Sequence, residues 1–221
     1  MAGADAPRAF AHMTLARAAL EGAARLSYLL HPSGTVEDRV IRAAALLLAS
    51  SEEELKAVDE LRTGSIELHE AATAAAARRH AEIGDLIERA GITVTRGRGE
   101  RLLGVRWRGQ GTLVESSPNM TALLRSLFPT RPGAYRVGSG ALHSQPWVLD
   151  DEDAYDPATR RLEWRLDPSA LAGSVDLAIA ASALALDVFA SMLGQDARPE
   201  HREAQRREEA VARLAAELLN R

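Results

Sequence analysis

The sequence predicts an all-α protein: a helical bundle of about six to seven helices with one or two short irregular or β-hairpin insertions. Three observations predict it. The apolar residues are mainly Ala and Leu, the strongest helix formers. Aromatics are only 4% of the chain and β-branched residues are sparse, which disfavours sheet. Apolar residues also recur at helical spacing through most of the 221 residues.

The first helix is expected from about Pro7 to Leu30, with Phe10, Met13, Ala18, Leu20, Leu26 and Leu29 on its apolar faces, and His31-Pro32-Ser33-Gly34 ends it. The second starts at Thr35, where Asp38 three residues on makes a capping-box pattern. Val40, Ile41, Ala44, Leu47 and Leu48 carry its periodicity. Ser50-Ser51 either interrupts it or caps a further turn through Leu55 and Leu61. The third runs from about Ser65 to Ala90, its packed side marked by Ile66, Ala77, Ile83, Leu86 and Ile87, and Gly91 stands where a left-handed cap belongs.

The pattern changes between Ile92 and Glu115. Glycines recur, and Val94, Leu103, Val105 and Trp107 alternate with Arg, which predicts a mobile loop or short hairpin. Helix resumes at Ser117-Pro118 and stops near Phe128-Pro129, and a short helix follows from about Ala134 to Ser144. Residues 150–167 fit a small hairpin with Arg161 to Leu166 as one strand. Asp167-Pro168 opens the most hydrophobic helix, which ends at Gly194. Pro199 begins a last helix that is nearly all charged in its first half, with Val211, Leu214, Leu218 and Leu219 forming a stripe only in its second. Residues 1–197 are therefore expected to form one bundle domain with insertions at 92–116 and 150–167, and residues 198–221 a charged C-terminal helix facing a partner.

Composition bounds the function. Without Cys, the chain can form no disulfide, no Cys-ligated zinc site and no thiol nucleophile. The net charge of −4 argues against indiscriminate binding to nucleic acid, so any such contact must come from a local patch. Lys56 is the only Lys, an Arg preference read first as a coding bias and only locally as a choice of side chain for phosphate. Asp5 stands early in a start that lacks a basic segment and a long apolar run, unlike a signal peptide. Leu177 to Leu186, bracketed by Asp176 and Asp187, is short of the roughly 20 apolar residues of a membrane span and is expected to be a buried helix. The expected location is the cytoplasm, with no membrane contact.

One segment carries candidate chemistry: Tyr135-Arg136-Val137-Gly138-Ser139-Gly140-Ala141-Leu142-His143, followed by Ser144-Gln145-Pro146-Trp147. On a helix, Arg136 and His143 share one face. Gly138 and Gly140 each cost about 1 kcal/mol against Ala, so something must approach the backbone closely there. A guanidinium such as that of Arg136 can hold an anion, and an imidazole such as that of His143 can accept or give a proton. Ser139 or Tyr135 could add a hydrogen bond. The alternative is structural: His143 packing near the helix end and Arg136 bridging to a carboxylate.

An Arg, six intervening residues and a His on a late helix of a bundle resemble the HEPN nuclease motif. The resemblance implies that Arg136 and His143 act together in metal-independent RNA cleavage at a homodimer interface, with no cofactor and no metal: His143 would take the 2′-OH proton and Arg136 would hold the phosphate oxygens. It also implies a bacterial defence or toxin system, with RNA as substrate or an antitoxin-like protein as partner. Outside that motif, RAALEGAARLSYLLHP near the start and YRVGSGALHSQPW later resemble uncharacterised helical proteins of actinobacteria, a likeness that brings no activity with it.

Arg17, Glu21 and Arg25 line one face of the first helix at i, i+4 spacing, with Tyr28 close by. Glu21 could orient His143, or Arg25 could contact phosphate; equally, the three form a salt-bridge ladder. Arg96, Arg98, Arg101, Arg106 and Arg108 surround Trp107 among flexible glycines, as in a loop where a ring stacks on a base; equally, this is a solvated loop pinned by Trp107. His69 and His80, eleven residues apart on one helix, are separated by roughly 16 Å along the axis, too far to share a metal, and no metal site is expected. Phosphate-cradling glycine loops, nucleophile elbows and dinucleotide fingerprints are absent from the sequence. Two further functions stay open: a non-catalytic helical interaction module, and a small-molecule enzyme or binding protein with a pocket near Tyr28, Tyr135, His143 and Trp147.

Overall fold

A computed structural model describes residues 11–61, 65–109, 111–131, 133, 135–136, 139, 155–156, 161–162, 168–195, 202–203, 205–207, 209–211, 213 and 217. The protein is mostly α-helical with a small antiparallel sheet. Its chain falls into two compact units, one made of Met1–Pro32 with Met120–Arg221, the other of Ser33–Asn119.

The continuous unit opens on helix α2 (Val36–Glu60). Its first turn is closed by a full capping box: Asp38 N–H donates to Thr35 Oγ1 at 3.1 Å, and Thr35 N–H donates to Asp38 Oδ2 at 3.0 Å. Two of the helix's orphan amides are thereby satisfied. The helix passes through Ser50-Ser51 without a break, because Ser51 is buried and its hydroxyl donates to Leu48 O of the preceding turn at 2.8 Å. Helix α3 (Ile66–Arg89) is capped by Ser65, whose hydroxyl accepts from Leu68 N–H, and ends at Gly91 with φ +76°.

The packed side of α3 keeps only Ile83 and Ile87 of the five residues expected there. Ala76 and Ile87 are buried and Ile83 packs on the core, whereas Ala77, Ile66 and Leu86 face outward. Ala76, His80, Ile83 and Ile87 recur at heptad spacing, and His80 Nδ1 lies 2.9 Å from Ser51 Oγ on α2. A small Ala can sit on either side of such a boundary, so composition alone did not orient the helix.

Residues 92–116 form more than a hairpin. Strands β1 (Ile92–Arg96), β2 (Leu102–Trp107) and β3 (Val114–Glu115) make an antiparallel sheet in that order. Ile92 pairs with Trp107, and the register shifts at Thr95/Arg96. The core of this unit joins Ile41, Ala45 and Leu48 of α2, Ile87 of α3, and Ile92, Leu102 and Val105 of the sheet, with Trp107 packed against it.

The other unit is built on α1 (Ala11–Leu30), α4 (Met120–Leu127) and α5 (Pro168–Met192). Helix α4 begins at Met120 rather than Pro118. Ser116 N–H still donates to Leu103 O, so the chain is tied to the sheet up to that point and turns helical only afterwards. Helix α1 packs mainly on α5. Ala23 and Ala24 with Ala180 and Ala181 let the backbones approach, and Leu20, Leu124 and Phe128 fill the space beside them. Two two-residue strands, β4 (Tyr155–Asp156) and β5 (Arg161–Leu162), pair antiparallel in the segment expected to hold a small hairpin, and residues 163–166 of the expected strand lie outside the described residues. Residues 202–203, 205–207 and 209–211 are helical.

Helix α5 has the length expected but is not the buried helix expected. Its Ala170–Met192 stretch is long and apolar enough, by length and composition, to cross a membrane. Only one face is covered: Ser174, Ala180, Ala181 and Val188 are buried, while Val175, Leu186, Phe189 and Met192 are exposed. It ends in a Schellman arrangement, Gly194 at φ +65° and Gln195 N–H donating to Ala190 O at 2.7 Å.

Candidate functional site

Helical spacing on α1 places Arg17, Glu21 and Arg25 in one row, and the row turns inward at one end. Arg17 Nε donates to Glu21 Oε1 at 2.8 Å, and Arg25 Nη2 stands 4.0 Å from Glu21 Oε2. The Arg17 side chain is only 14% exposed. Its Nη2 donates to Tyr135 Oη at 3.3 Å, and its guanidinium lies 4.9 Å from the Tyr135 ring centroid. A buried guanidinium needs such partners to offset its lost hydration. Arg17 Nη1 is buried with no hydrogen-bond partner among the described residues. The ladder and the supporting roles are therefore divided: Arg17 and Glu21 hold one another and steady Tyr135, while Arg25 remains exposed.

Tyr135, Arg136 and Ser139 are helical; Tyr135 and Ser139 are half-buried, and Arg136 is exposed. Among the described residues, Arg136 makes no hydrogen bond or ion pair. His143 and Trp147 lie outside the described residues, as do Gly138 and Gly140.

Tyr135 and Arg136 line a shallow surface cleft whose enclosed space is small, about that of one water. Leu20 of α1, Leu124 of α4 and Phe128 form its apolar floor, and Thr121, Arg125 and Arg131 complete its rim. The floor side chains are almost wholly buried. Arg131 is already engaged: its Nε and Nη2 donate to the two carboxylate oxygens of Asp176 on α5, at 2.7 and 2.9 Å. Arg125 is exposed and, like Arg136, makes no hydrogen bond or ion pair among the described residues. Among the described residues, three arginines (125, 131 and 136) line the cleft, with Asp176 paired to one of them. In a chain of net charge −4, that is the local positive patch an anion would need.

The arginine-rich segment belongs to the other unit and is less available than its composition implied. Arg96 Nη1 pairs with Glu52 Oε1 at 2.7 Å and also donates to Glu100 O at 2.8 Å, so it is not a free phosphate ligand. The Trp107 ring packs on the core and is not a free stacking platform. The two-residue alternation of a strand sends Arg106 to the face opposite Trp107. Arg98, Arg101, Arg106 and Arg108 are exposed.

Sequence reasoning missed Arg125, Arg131 and Asp176. No local pattern links Arg131 to a carboxylate 45 positions away, and Arg125 looks like an ordinary cation in the last turn of a helix. Among the described residues, no group of three or more His, Asp or Glu side chains is gathered as a metal site would be. Searches of protein-family models, curated proteins and solved structures find no match to the chain.

Proposed function

We propose that the chain binds and cleaves RNA without a metal, at the cleft bordered by Tyr135 and Arg136. The observation that carries this reading is the state of Arg136: helical, exposed and without an intramolecular partner among the described residues, on a cleft that Arg125 and Arg131 also line. A planar guanidinium in that state can grip two phosphate oxygens. Arg17 and Glu21 fix the Tyr135 ring one residue before it. His143, seven residues on along the sequence, would take the 2′-OH proton and later return a proton to the leaving oxygen. On this reading the protein acts in the cytoplasm in a defence or toxin system, and Ser139 assists the phosphate contact. The test is single-stranded RNA incubated with purified protein in excess EDTA. Wild type should cleave, and His143→Ala and Arg136→Ala should each slow cleavage by about 100-fold or more. Equal survival of RNA with wild type and with His143→Ala would end the nuclease reading.

A second reading, a helical interaction module, is favoured by the less covered side of α5. Ala172, Val175, Ile179, Ser182, Leu186, Phe189 and Leu193 recur at alternating spacings of three and four, the repeat of a helix–helix seam. Ala172 and Ile179 are half-buried, and the other five are exposed. Six of the seven are apolar, so pairing this row with that of a second copy would remove a continuous apolar strip from water. Light scattering of wild type and of Leu186→Glu/Phe189→Glu tests this seam: a dimer in the first and a monomer in the second is expected. A monomeric wild type excludes this seam.

A further inference from the structure

We propose that Arg125, together with Arg136, forms a two-arginine clamp for the sugar–phosphate backbone of a single-stranded nucleic acid. This deepens the RNA reading and rests on it. Both side chains line the same cleft, both are exposed, and neither has a partner among the described residues. Arg131, on the same rim, is excluded because Asp176 occupies its fork with two hydrogen bonds. Arg17 is excluded because Glu21 and Tyr135 occupy it and it is buried. Of the three arginines that line the cleft, Arg131 is spent on Asp176, and Arg125 and Arg136 are left open to an anion. The Leu20, Leu124 and Phe128 floor keeps water from one side of that anion, which strengthens each remaining charge contact. Arg125 comes from α4 and Arg136 from a separate helical position of the chain, so a strand lying in the cleft would meet a cation from each of two segments.

The experiment measures binding of the full-length protein to a fluorescein-labelled 2′-O-methyl RNA strand over a salt series. That backbone has no free 2′-OH and cannot be cleaved by internal attack, so binding is read apart from catalysis. Removing one arginine–phosphate pair should lower the slope of log affinity against log salt by roughly 0.7 for a single strand. Arg125→Gln and Arg136→Gln should each lower it by that amount and weaken binding about tenfold at low salt. Arg125→Lys should restore the slope while recovering only part of the affinity, since a point charge replaces a fork. Arg78→Gln, which removes an exposed arginine from α3, should leave the slope unchanged. If Arg125→Gln matches Arg78→Gln, or if wild type does not bind the strand, the clamp is overturned. Salt-sensitive binding that depends on Arg125, with ordinary RNA left intact, removes the proposed cleavage and keeps the clamp. Cleavage indifferent to Arg125→Gln does the reverse.

Discussion

At Gly104 the backbone of β3 comes so near that a Cβ would lie 2.1 Å from Val114 O. The atom in the way is main chain held in the β2–β3 ladder, and it cannot swing aside as a side chain could. Gly104→Ala should therefore lower stability by about 3 kcal/mol through forced displacement of β3, measured by urea denaturation. Asp38 supplies a pH dependence. The Thr35 backbone hydrogen bond, then the Thr35 side chain, hold its carboxyl below the ordinary aspartate value. A depressed folded-state value means that the contribution to stability is complete above the unfolded value and disappears as pH falls through the folded one. A carboxyl titration by NMR should place Asp38 below 3.8, and Thr35→Ala should move it back up. Elsewhere Glu54 is likewise held low by its hydrogen bond from Arg79.

Between elements, the junction of α2 with α3 turns on one hydroxyl. Ser51 has a single proton, donated to Leu48 O, so its contact with His80 requires the Nδ1–H form of the ring as donor. Ser51→Ala leaves that N–H facing a methyl group. A destabilisation of about 1 kcal/mol is expected, seen as a lower urea midpoint with an unchanged m-value. Double-mutant analysis with His80→Ala should show the two costs to be less than additive, as befits one shared interaction. The two long helices α3 and α5 show opposite use of apolar residues. On α3 a narrow row suffices because the sheet covers the rest of that unit's core. On α5 apolar side chains occupy the outer side as well, more than contact with α1 requires.

Across the whole molecule, the two units differ in how the chain builds them. Residues 33–119 are continuous and own a complete core drawn from two helices and a sheet. The other unit needs both ends of the chain, since α1 packs on α5 from the far side of the sequence. Expressed alone, residues 33–119 should fold, giving one cooperative urea transition and dispersed amide resonances. A polypeptide joining residues 1–32 directly to 120–221 tests the converse, because its closure requires Pro32 and Met120 to lie within reach of a short linker.

The sequence by itself determined what short-range chemistry controls. Thr35 with Asp38 starts a helix, Gly91 and Gly194 stop helices, alternation after Ile92 makes strands, and Ala-Leu periodicity makes the rest helical. Each of these is settled within a few residues by hydrogen bonding or backbone sterics. It also singled out Arg17, Glu21, Tyr135 and Arg136 as residues worth attention, and the first three meet at hydrogen-bond and stacking distances. Only tertiary structure decided which arginines are spent on structure. Arg131 is tied to Asp176 and Arg96 to Glu52, while Arg125 and Arg136 stay open at a shared cleft. Trp107 likewise faces a core rather than solvent. A guanidinium is the same group in every sequence window, and its availability depends on a carboxylate delivered by a distant part of the chain.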